Sequence, residues 1–409
     1  MNFLSALEQC RQRARHYLAG RVVEVDDAYY WRHSTTHDPN THPGHLLYGT
    51  WAGALASILI GEGTEFDAAT RSRIGRALNR YQQTDGTYTM RGLPGKAGSV
   101  PSDEYHVFHC TNYAWGALRA LGGCPRFGPS FMARFDSAAL ERWLAERDWR
   151  YAWREGNNVV NLASSFAILS EDGLQWAAER LEQMIGWLDH HQDRNTGFWH
   201  LGNGDRRDSL LDAMAGAAHN LHLYYHVDRP VPYGKQVIDS CLRLGYMGIR
   251  NACIDLDVID ILSNLRGFGH RHREIDSVLK RYLIELLQIQ NDDGGFGDNS
   301  VTPHTMYGHT TPARASVTWT TWFRLVAIGM LACTFIPAER TRWAFRKTLG
   351  SGYCNLAYSL RSSAGDDRLM TGWQGSSLRG WGLATVRNVR FARERVTWRA
   401  RELLSQGQR

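Results

Sequence analysis

The sequence has few of the features that mark nucleic-acid binding, phosphate transfer or export. Its 47 basic and 41 acidic residues leave a net charge of +6 over 409 residues, and no basic stripe runs along the chain. This weak charge bias argues against a nucleic-acid partner. No Walker-type loop and no DDxxD motif for diphosphate ionisation occurs. The N-terminus lacks the continuous apolar segment of a secretory signal, so we expect a cytoplasmic protein.

Cysteine pairs and long uninterrupted apolar runs are also missing. The seven cysteines are scattered and none forms a CxxC pair, which favours reduced thiols over a disulfide framework. The longest apolar stretch, 315–335, is interrupted by Arg324 and four threonines. We therefore predict a buried helix there, and no transmembrane segment.

What the sequence does contain is an alternation of two kinds of helical segment. One kind is amphipathic, with apolar residues at spacings of three and four, and the other is apolar nearly all round. A helix without a polar face must be covered on both sides, so each apolar segment is predicted to be an inner helix. The six predicted pairs are 4–18/46–60, 67–82/104–121, 137–147/158–169, 174–191/208–226, 233–244/251–265 and 272–290/314–335.

Six outer helices around six inner helices predict an all-α fold, an (α/α)6 toroid over residues 1–335. The repeat is too long for a tetratricopeptide or ankyrin array, and strand-like alternation is scarce. Residues 336–409 are predicted to be closing helices and an arginine-rich tail packed on the same domain.

Three of the predicted outer helices end in the same way. A glutamine is followed by a polar turn, a glycine and an aromatic residue, at Gln83, Gln192 and Gln290. The glycine provides the left-handed turn that stops the helix, and the glutamine can bond the exposed ends of neighbouring helices. We call this pattern the glutamine clasp and expect a structural role for it.

The third clasp, Gln290 to Gly297 with the helical segment 280–289 before it, resembles the QW-type repeat of one superfamily. That superfamily contains squalene-hopene cyclases, class II terpenoid cyclases and protein prenyltransferases. The resemblance extends over about residues 1–335 and implies the same toroid. One fold hosts several chemistries, so the resemblance alone does not assign an activity.

Three carboxylates, Asp255, Asp257 and Asp260, lie in an otherwise apolar helix. They are costly to bury unless they are hydrogen-bonded or protonated. Class II cyclases protonate an alkene or epoxide with an aspartic acid of a DxDD motif, and the resemblance implies Asp255 and Asp257 as catalytic candidates. Here the pattern is DxDxxD, without the second member of the DD pair. The alternative is a structural role in capping and in hydrogen bonds between helices.

Histidines form the second group of candidates. His219, His222 and His226 share a face of the fourth inner helix, and His106 and His109 lie near the start of the second. We take His106 and His219 as candidates for proton transfer near neutral pH, and His109 as a substrate-binding candidate. Further histidines lie in the first and sixth loops, at His33, His37, His42, His45, His304 and His309. No set has a recognised metal-ligand spacing, so neither a metal nor a cofactor is predicted.

Aromatic and polar side chains on the inner helices are predicted to line a substrate cavity. Tyr48, Trp51, Trp319 and Trp322 offer rings that hold a carbocation by cation–π attraction or stack on sugars. The polar candidates are Asn158 and Asp212.

Three functions remain open from these residues. The first is a terpenoid cyclase-like enzyme that starts a carbocation by protonation of a polyprenyl-type substrate. The second is a carbohydrate-active enzyme on the same toroid, a glycoside hydrolase or polysaccharide lyase, which the polar mouth loops favour. The third is a non-catalytic toroidal subunit that forms a homo-oligomer or binds a partner chain.

Overall fold

The computed structural model describes residues 3–61, 66–90, 100–200, 207–298, 302–306, 308–345 and 349. Within these ranges the chain is mostly helical, with two very short sheets. The described helices are α1 (Phe3–Ala19), α2 (His45–Leu59), α3 (Ala68–Asn79), α4 (Val100–Ala120), α5 (Ser137–Ala145), α6 (Ala152–Glu171), α7 (Gln175–His191), α8 (Arg207–His226), α9 (Gly234–Leu244), α10 (Ala252–Leu265), α11 (His272–Gln288) and α12 (Thr318–Phe335).

The helices alternate between ones with a solvent-exposed face and ones that are largely buried, as the sequence pattern predicts. Every residue of α2 is buried, and so is every residue from Thr318 to Thr334 of α12. By contrast, α3 buries only Ile74, Ala77 and Leu78. Helix α10 begins with a polar cap. The Asn251 side chain accepts a hydrogen bond from the Ile254 N–H at 2.8 Å.

The even-numbered helices contact one another in a closed order. Helix α2 packs on α4, α4 on α6, α6 on α8, α8 on α10 and α10 on α12, and α12 packs on α2. The odd-numbered helices contact the even ones from their other sides, for example α7 against α6 and α8, and α11 against α10 and α12. The core is therefore continuous from the first hairpin to the last.

Helices α6 and α8 approach each other closely, backbone against backbone. A Cβ atom on Gly156 would come 2.3 Å from the Gly216 carbonyl oxygen, and one on Gly216 would come 2.2 Å from the Ala152 carbonyl oxygen. Only glycine permits backbones to meet at this distance. The close contact sets the position of Asp212, one turn before Gly216 on α8.

The structure differs from the sequence prediction in two loops and at several helix starts, most at that of α6. Strands β1 (Val22–Val25) and β2 (Ala28–Trp31) form an antiparallel hairpin in the first loop, and β3 (His304–Met306) pairs with β4 (His309–Thr311) in the last. Helix α6 begins at Ala152 rather than at 158, because a 3-10 turn over 149–151 leads directly into it. Asn158 is therefore inside the helix and does not cap it.

The glutamine clasps are present, with one shift of position. In each, the glutamine Nε2 donates to the carbonyl oxygen of the glycine in its own turn and to a carbonyl oxygen of the next hairpin along. The acceptors are Gly86 and Phe127 (3.1 and 2.9 Å) for Gln82, Gly197 and Pro232 (2.7 and 2.9 Å) for Gln192, and Gly294 and Cys10 (2.8 and 3.0 Å) for Gln290.

The prediction of Gln83 for the first clasp is wrong. Its Nε2 donates instead to Tyr81 O and to Thr89 Oγ1. Gln82 is the residue four positions before the turn glycine, as Gln290 is in the third clasp, and this spacing lets the side chain fold back onto its own turn.

The segment after α12 is held against the first helix. Glu339, in a 3-10 turn over Pro337–Thr341, is buried and forms an ion pair with buried Arg11 of α1. The same carboxylate accepts a hydrogen bond from Trp343 Nε1 at 3.0 Å. Most of the region 336–409, predicted to be closing helices and a basic tail, lies outside the described residues.

Two further findings concern the described residues. None of their helices is long and apolar enough to cross a membrane. Their six cysteines are all free thiols.

Candidate functional site

Asp255 is held as an ion pair in the interior. Its Oδ2 lies 2.5 Å from Nη1 of Arg324 on α12, and both side chains are almost completely removed from solvent. The Arg250 N–H also donates to the Asp255 carboxylate, at 3.0 Å. These contacts stabilise the charged form of Asp255, which makes it a poor proton donor. The second Nη of Arg324 donates to the Asp298 carbonyl oxygen at 3.3 Å.

Asp257 lies in a different environment, although it is only two residues away. It is fully buried, on the face of α10 that also carries Cys253. Burial and then the Asp257 carboxylate raise the pKa of the Cys253 thiol, and burial followed by Cys253 raises that of Tyr105 on α4. Cys253 and Tyr105 are both partly exposed, so this group adjoins space that solvent reaches.

Asp260 belongs to a buried pair between α8 and α10. Nε2 of His222 lies 3.0 Å from Asp260 Oδ2, and Asn264 Nδ2 donates to Asp260 Oδ1 at 2.9 Å. Both carboxylate oxygens are thus occupied. The DxDxxD motif therefore contains an aspartate paired with arginine, a buried one beside a thiol, and one paired with histidine.

The histidine candidates come together from α4 and α8. Nδ1 of His109 lies 2.9 Å from the hydroxyl of Tyr48, and burial followed by nearby His106 lowers the pKa of His109 to about 3. Burial also lowers the pKa of His219 well below its usual range, with contributions from His222 and His109. His109 and His219 are consequently neutral at neutral pH and can accept a proton only from a strong acid.

The aromatic candidates form one stacked group. Trp51 stacks on Tyr113 with ring centroids 4.3 Å apart, and the Trp322 ring meets Trp51 edge-on at 5.4 Å. Trp319 meets Phe323 edge-on at 5.2 Å. Trp51, Trp322 and Tyr48 are all buried, and the Tyr48 ring centre lies 5.5 Å from that of Trp51 and 5.6 Å from that of His109.

Two predicted substrate-binding residues have protein partners. Asn158 Nδ2 donates to Glu155 Oε2 at 2.9 Å, and Glu155 in turn forms an ion pair with Arg147 at 3.4 Å. The Asp212 carboxylate accepts a hydrogen bond from the Trp153 N–H at 3.3 Å. It therefore binds the first turn of α6, where backbone N–H groups have no acceptor within the helix. Burial raises the pKa of Asp212, although its backbone hydrogen bonds act in the opposite direction.

Arg324 is a further candidate residue that the sequence did not predict for the site. An arginine in the middle of an apolar helix must find an anion, and the three carboxylates of α10 were the obvious partners. A related pair was also missed, since His304 Nδ1 lies 3.2 Å from Asp298 Oδ2, although the two atoms are not aligned for a hydrogen bond. Burial alone would raise the pKa of Asp298, but His304 and Arg324 outweigh it and the pKa is lowered.

A second cluster lies beside these groups, where the first loop meets strand β4. The ring centres of His45 and His309 are 5.5 Å apart. The ring centre of His33 lies 5.1 Å from that of His45 and 5.8 Å from that of His309. The ring centre of His42 lies 5.5 Å from that of His45 and 5.0 Å from that of His309. His37 lies in the same group, at 5.6 Å from His309. We call these five residues the histidine cluster.

Four members of the histidine cluster are buried, with pKa values lowered by burial, namely His33, His37, His45 and His309, whereas His42 is half-buried. Burial and then the neighbouring imidazoles lower the pKa of His33 well below its usual range, and burial chiefly lowers that of His309 to about 4. Neither ring nitrogen of His33 has a hydrogen-bond partner among the described residues, although its side chain is fully buried. Leaving a buried polar group unpaired costs about 1–3 kcal/mol. In the described part of the chain, no three His, Cys, Asp or Glu side chains are arranged to hold a metal ion.

Comparisons with known proteins identify no relative. No family model, no curated protein and no solved structure matches this chain.

Proposed function

We propose that the chain folds as an (α/α)6 toroid of the terpenoid cyclase and prenyltransferase type. The closed order of contacts among α2, α4, α6, α8, α10 and α12 supports six inner helices around one axis. The glutamine clasps support it as well, since each joins one helical hairpin to the next.

We further propose that the protein is a class II cyclase-like enzyme that protonates a polyprenyl-type small molecule in the central cavity. The observation that carries this proposal is the position of one buried carboxylate. Asp257 is fully buried beside the partly exposed Cys253 and Tyr105, at a place that solvent reaches. A carboxyl group taken out of water favours its protonated form, which is the form that donates a proton.

The other residues then have distinct roles. Asp255 and Arg324 position the helix turn that bears Asp257, as a pair that needs no change of charge. The rings of Tyr48, Trp51, Trp319 and Trp322 supply an apolar wall whose faces attract a developing carbocation. His109 lies against Tyr48 of this wall, and one of His106, His109 and His219 accepts the proton that ends the reaction.

The test uses linear polyprenyl compounds, from geranylgeranyl diphosphate to squalene, with products identified by gas chromatography and mass spectrometry. We expect cyclic products, and in deuterium oxide each product gains one deuterium at the protonated carbon. Asp257→Asn should abolish turnover and leave the circular dichroism spectrum unchanged. Asp276→Asn is the matched control. Asp276 is a buried aspartate of the outer helix α11, and it forms an ion pair with Arg266, which precedes that helix.

Two results would contradict the cyclase proposal. One is full turnover by Asp257→Asn. The other is a folded wild-type protein that converts no member of the panel.

A carbohydrate-active enzyme is the second candidate, and one polar network favours it. Arg147 lies between the carboxylates of Glu104 and Glu155, at 3.7 and 3.4 Å, and Trp143 Nε1 lies 3.4 Å from Glu104. Two acids with an indole beside them suit a sugar ring. This function would be favoured if the protein cleaves oligosaccharides, if Glu155→Gln abolishes the cleavage, and if Asp257→Asn retains it. A protein that turns over neither substrate class and elutes as a complex would fit the non-catalytic subunit.

A further inference from the structure

The segment that follows α12 has no part in the proposed cyclase reaction, yet it carries large apolar side chains that are buried. Trp343 is 2% exposed and Leu349 is 0% exposed. We call residues 337–345 together with Leu349 the C-terminal strap. Side chains of this kind cover part of a core, and the contacts of the strap identify that part.

Trp322 identifies the side of α12 that faces the centre of the closed order of helices. Its ring centre lies 5.4 Å from that of Trp51 on α2 and 5.6 Å from that of Tyr113 on α4, and in that order α2 separates α4 from α12. Gly329 is seven positions further along α12, which is almost two turns. Gly329 therefore lies on the same side of the helix as Trp322, about 10 Å along its axis.

The strap packs directly against Gly329. A Cβ atom on this residue would come 2.7 Å from Cε3 of Trp343 and 3.0 Å from Cζ of Phe345, so both rings lie against the helix backbone. The Ala344 N–H donates to the carbonyl oxygen of Leu59, the last residue of α2, at 2.8 Å. These three strap residues thus occupy the centre between the later parts of α12 and α2.

Leu349 brings the strap to the opposite side of the closed order. Ser164 Oγ of α6 lies 3.0 Å from the Leu349 carbonyl oxygen, and α6 is three places from α12 in either direction. A path past α2 and α4 would cover three helix-to-helix spacings of about 8–10 Å each. Leu349 is only four positions after Phe345, and four residues span at most about 14 Å. The strap therefore crosses the space that the six helices enclose.

The candidate site lies nearer the start of the same helices. Trp51 and Trp322 are in the first halves of α2 and α12. Asp255, two residues before Asp257, pairs with Arg324 in the second turn of α12. The strap contacts α2, α6 and α12 in their second halves. It therefore forms a floor beneath the candidate site.

We propose that the C-terminal strap limits the length of the substrate, and that Phe345 and Leu349 set this limit. The substrate class named here rests on the proposed cyclase function. Only about 10 Å along α12 separates Trp322 from the strap at Gly329, so a chain that extends past the candidate site meets the strap within that distance. The protein accordingly takes a short polyprenyl chain, such as that of geranylgeranyl diphosphate, in preference to the longer chain of squalene.

The experiment measures binding and turnover separately with the full chain. Binding of two unreactive prenyl alcohols, geranylgeraniol and the longer hexaprenol, is followed by quenching of tryptophan fluorescence, with both alcohols supplied in cyclodextrin. Phe345→Ala and Leu349→Ala should each strengthen binding of hexaprenol relative to geranylgeraniol by about 10-fold or more, because each removes part of the floor. Since Phe345 is only half-buried, Phe345→Ala reports on the floor even if Leu349→Ala does not fold.

Two matched controls remove the same groups away from the strap. Phe335, the half-buried last residue of α12, lies under the cations of Arg266 and Lys280, so Phe335→Ala should leave the ratio of affinities unchanged. Leu286→Ala should do the same, because Leu286 is fully buried on the outer helix α11.

The outcomes separate the length limit from the cyclase reaction. The length limit is overturned if the wild-type chain binds neither alcohol, or if Phe345→Ala leaves the ratio of affinities at the wild-type value. A wild-type chain whose ratio shifts in Phe345→Ala, but which gives no cyclic product from any polyprenyl compound, supports the length limit and contradicts the cyclase proposal.

Discussion

Removal of Arg324 is the perturbation with the clearest expected magnitude. Its guanidinium and the Asp255 carboxylate are about 1% and 0% exposed and lie 2.5 Å apart. Replacement by methionine keeps an unbranched apolar stem but removes the guanidinium, and so leaves the Asp255 carboxylate without its counter-ion in the interior. Loss of one partner from a buried pair costs about 3–5 kcal/mol of stability. We expect the lower part of that range, because the bifurcated hydrogen bond from the Arg250 N–H to both carboxylate oxygens remains.

The assay is urea denaturation followed by far-ultraviolet circular dichroism, on single and double variants. The double variant Asp255→Asn/Arg324→Met should lose less than the sum of the single variants, by about 1–3 kcal/mol. Arg324→Met alone should regain stability as the pH falls, because a protonated Asp255 needs no counter-ion. Arg76→Met is the control, since Arg76 pairs with Asp27 on the surface and such pairs contribute about 0–1 kcal/mol. A loss for Arg324→Met as small as the control's, or strict additivity, would refute the reasoning.

Two further predictions concern a clasp and the buried histidines. Gly294→Ala should lower the free energy of unfolding by at least about 2 kcal/mol, because φ is +89° and the new Cβ would lie 1.9 Å from the Arg13 carbonyl oxygen. Gly173→Ala is the control: it has the same φ but open space around the new Cβ, and should cost only about 1 kcal/mol in the same urea assay. His109 has a pKa of about 3 in the fold against an ordinary 6.5, so the unfolded chain binds the extra proton between these values and stability falls as the pH drops through them. His109→Gln should flatten that part of the stability–pH curve, and an unchanged slope would show that His109 is not held neutral.

The helices were predictable because burial leaves a direct mark on composition. Segments such as 46–60 and 315–335 have no polar face, and the structure covers them on all sides. The hairpin at 22–31 was missed although a signal existed. Asp26 and Asp27 both take positive φ, a conformation that aspartate tolerates in tight hairpin turns, and a valine-rich and an aromatic segment flank them.

The candidate site was predictable as a set of residue types, but its pairings were not. The sequence indicates that three aspartates enter an apolar helix, yet which one receives Arg324 depends on how α10 faces α12. The pair Asp255–Arg324 spans 69 positions and the ring contact His45–His309 spans 264, and no local pattern encodes separations of this kind. Asn158 and Asp212 show the same limit, because both looked available for a substrate and both have protein partners.

The contact between the last clasp and the first helix bears on how the chain folds. Gln290 donates to the Cys10 carbonyl oxygen 280 positions away, and α12 packs on α2. The two segments that meet in these contacts are therefore synthesised far apart in time. A linear solenoid can grow from any unit and fray at its ends. Here α1 can pack on α2 early, but its contacts with α11 and α12 form only when these last helices leave the ribosome. Contacts between segments so far apart in sequence form slowly, so we expect the joint between the last clasp and α1 to be among the late events of folding.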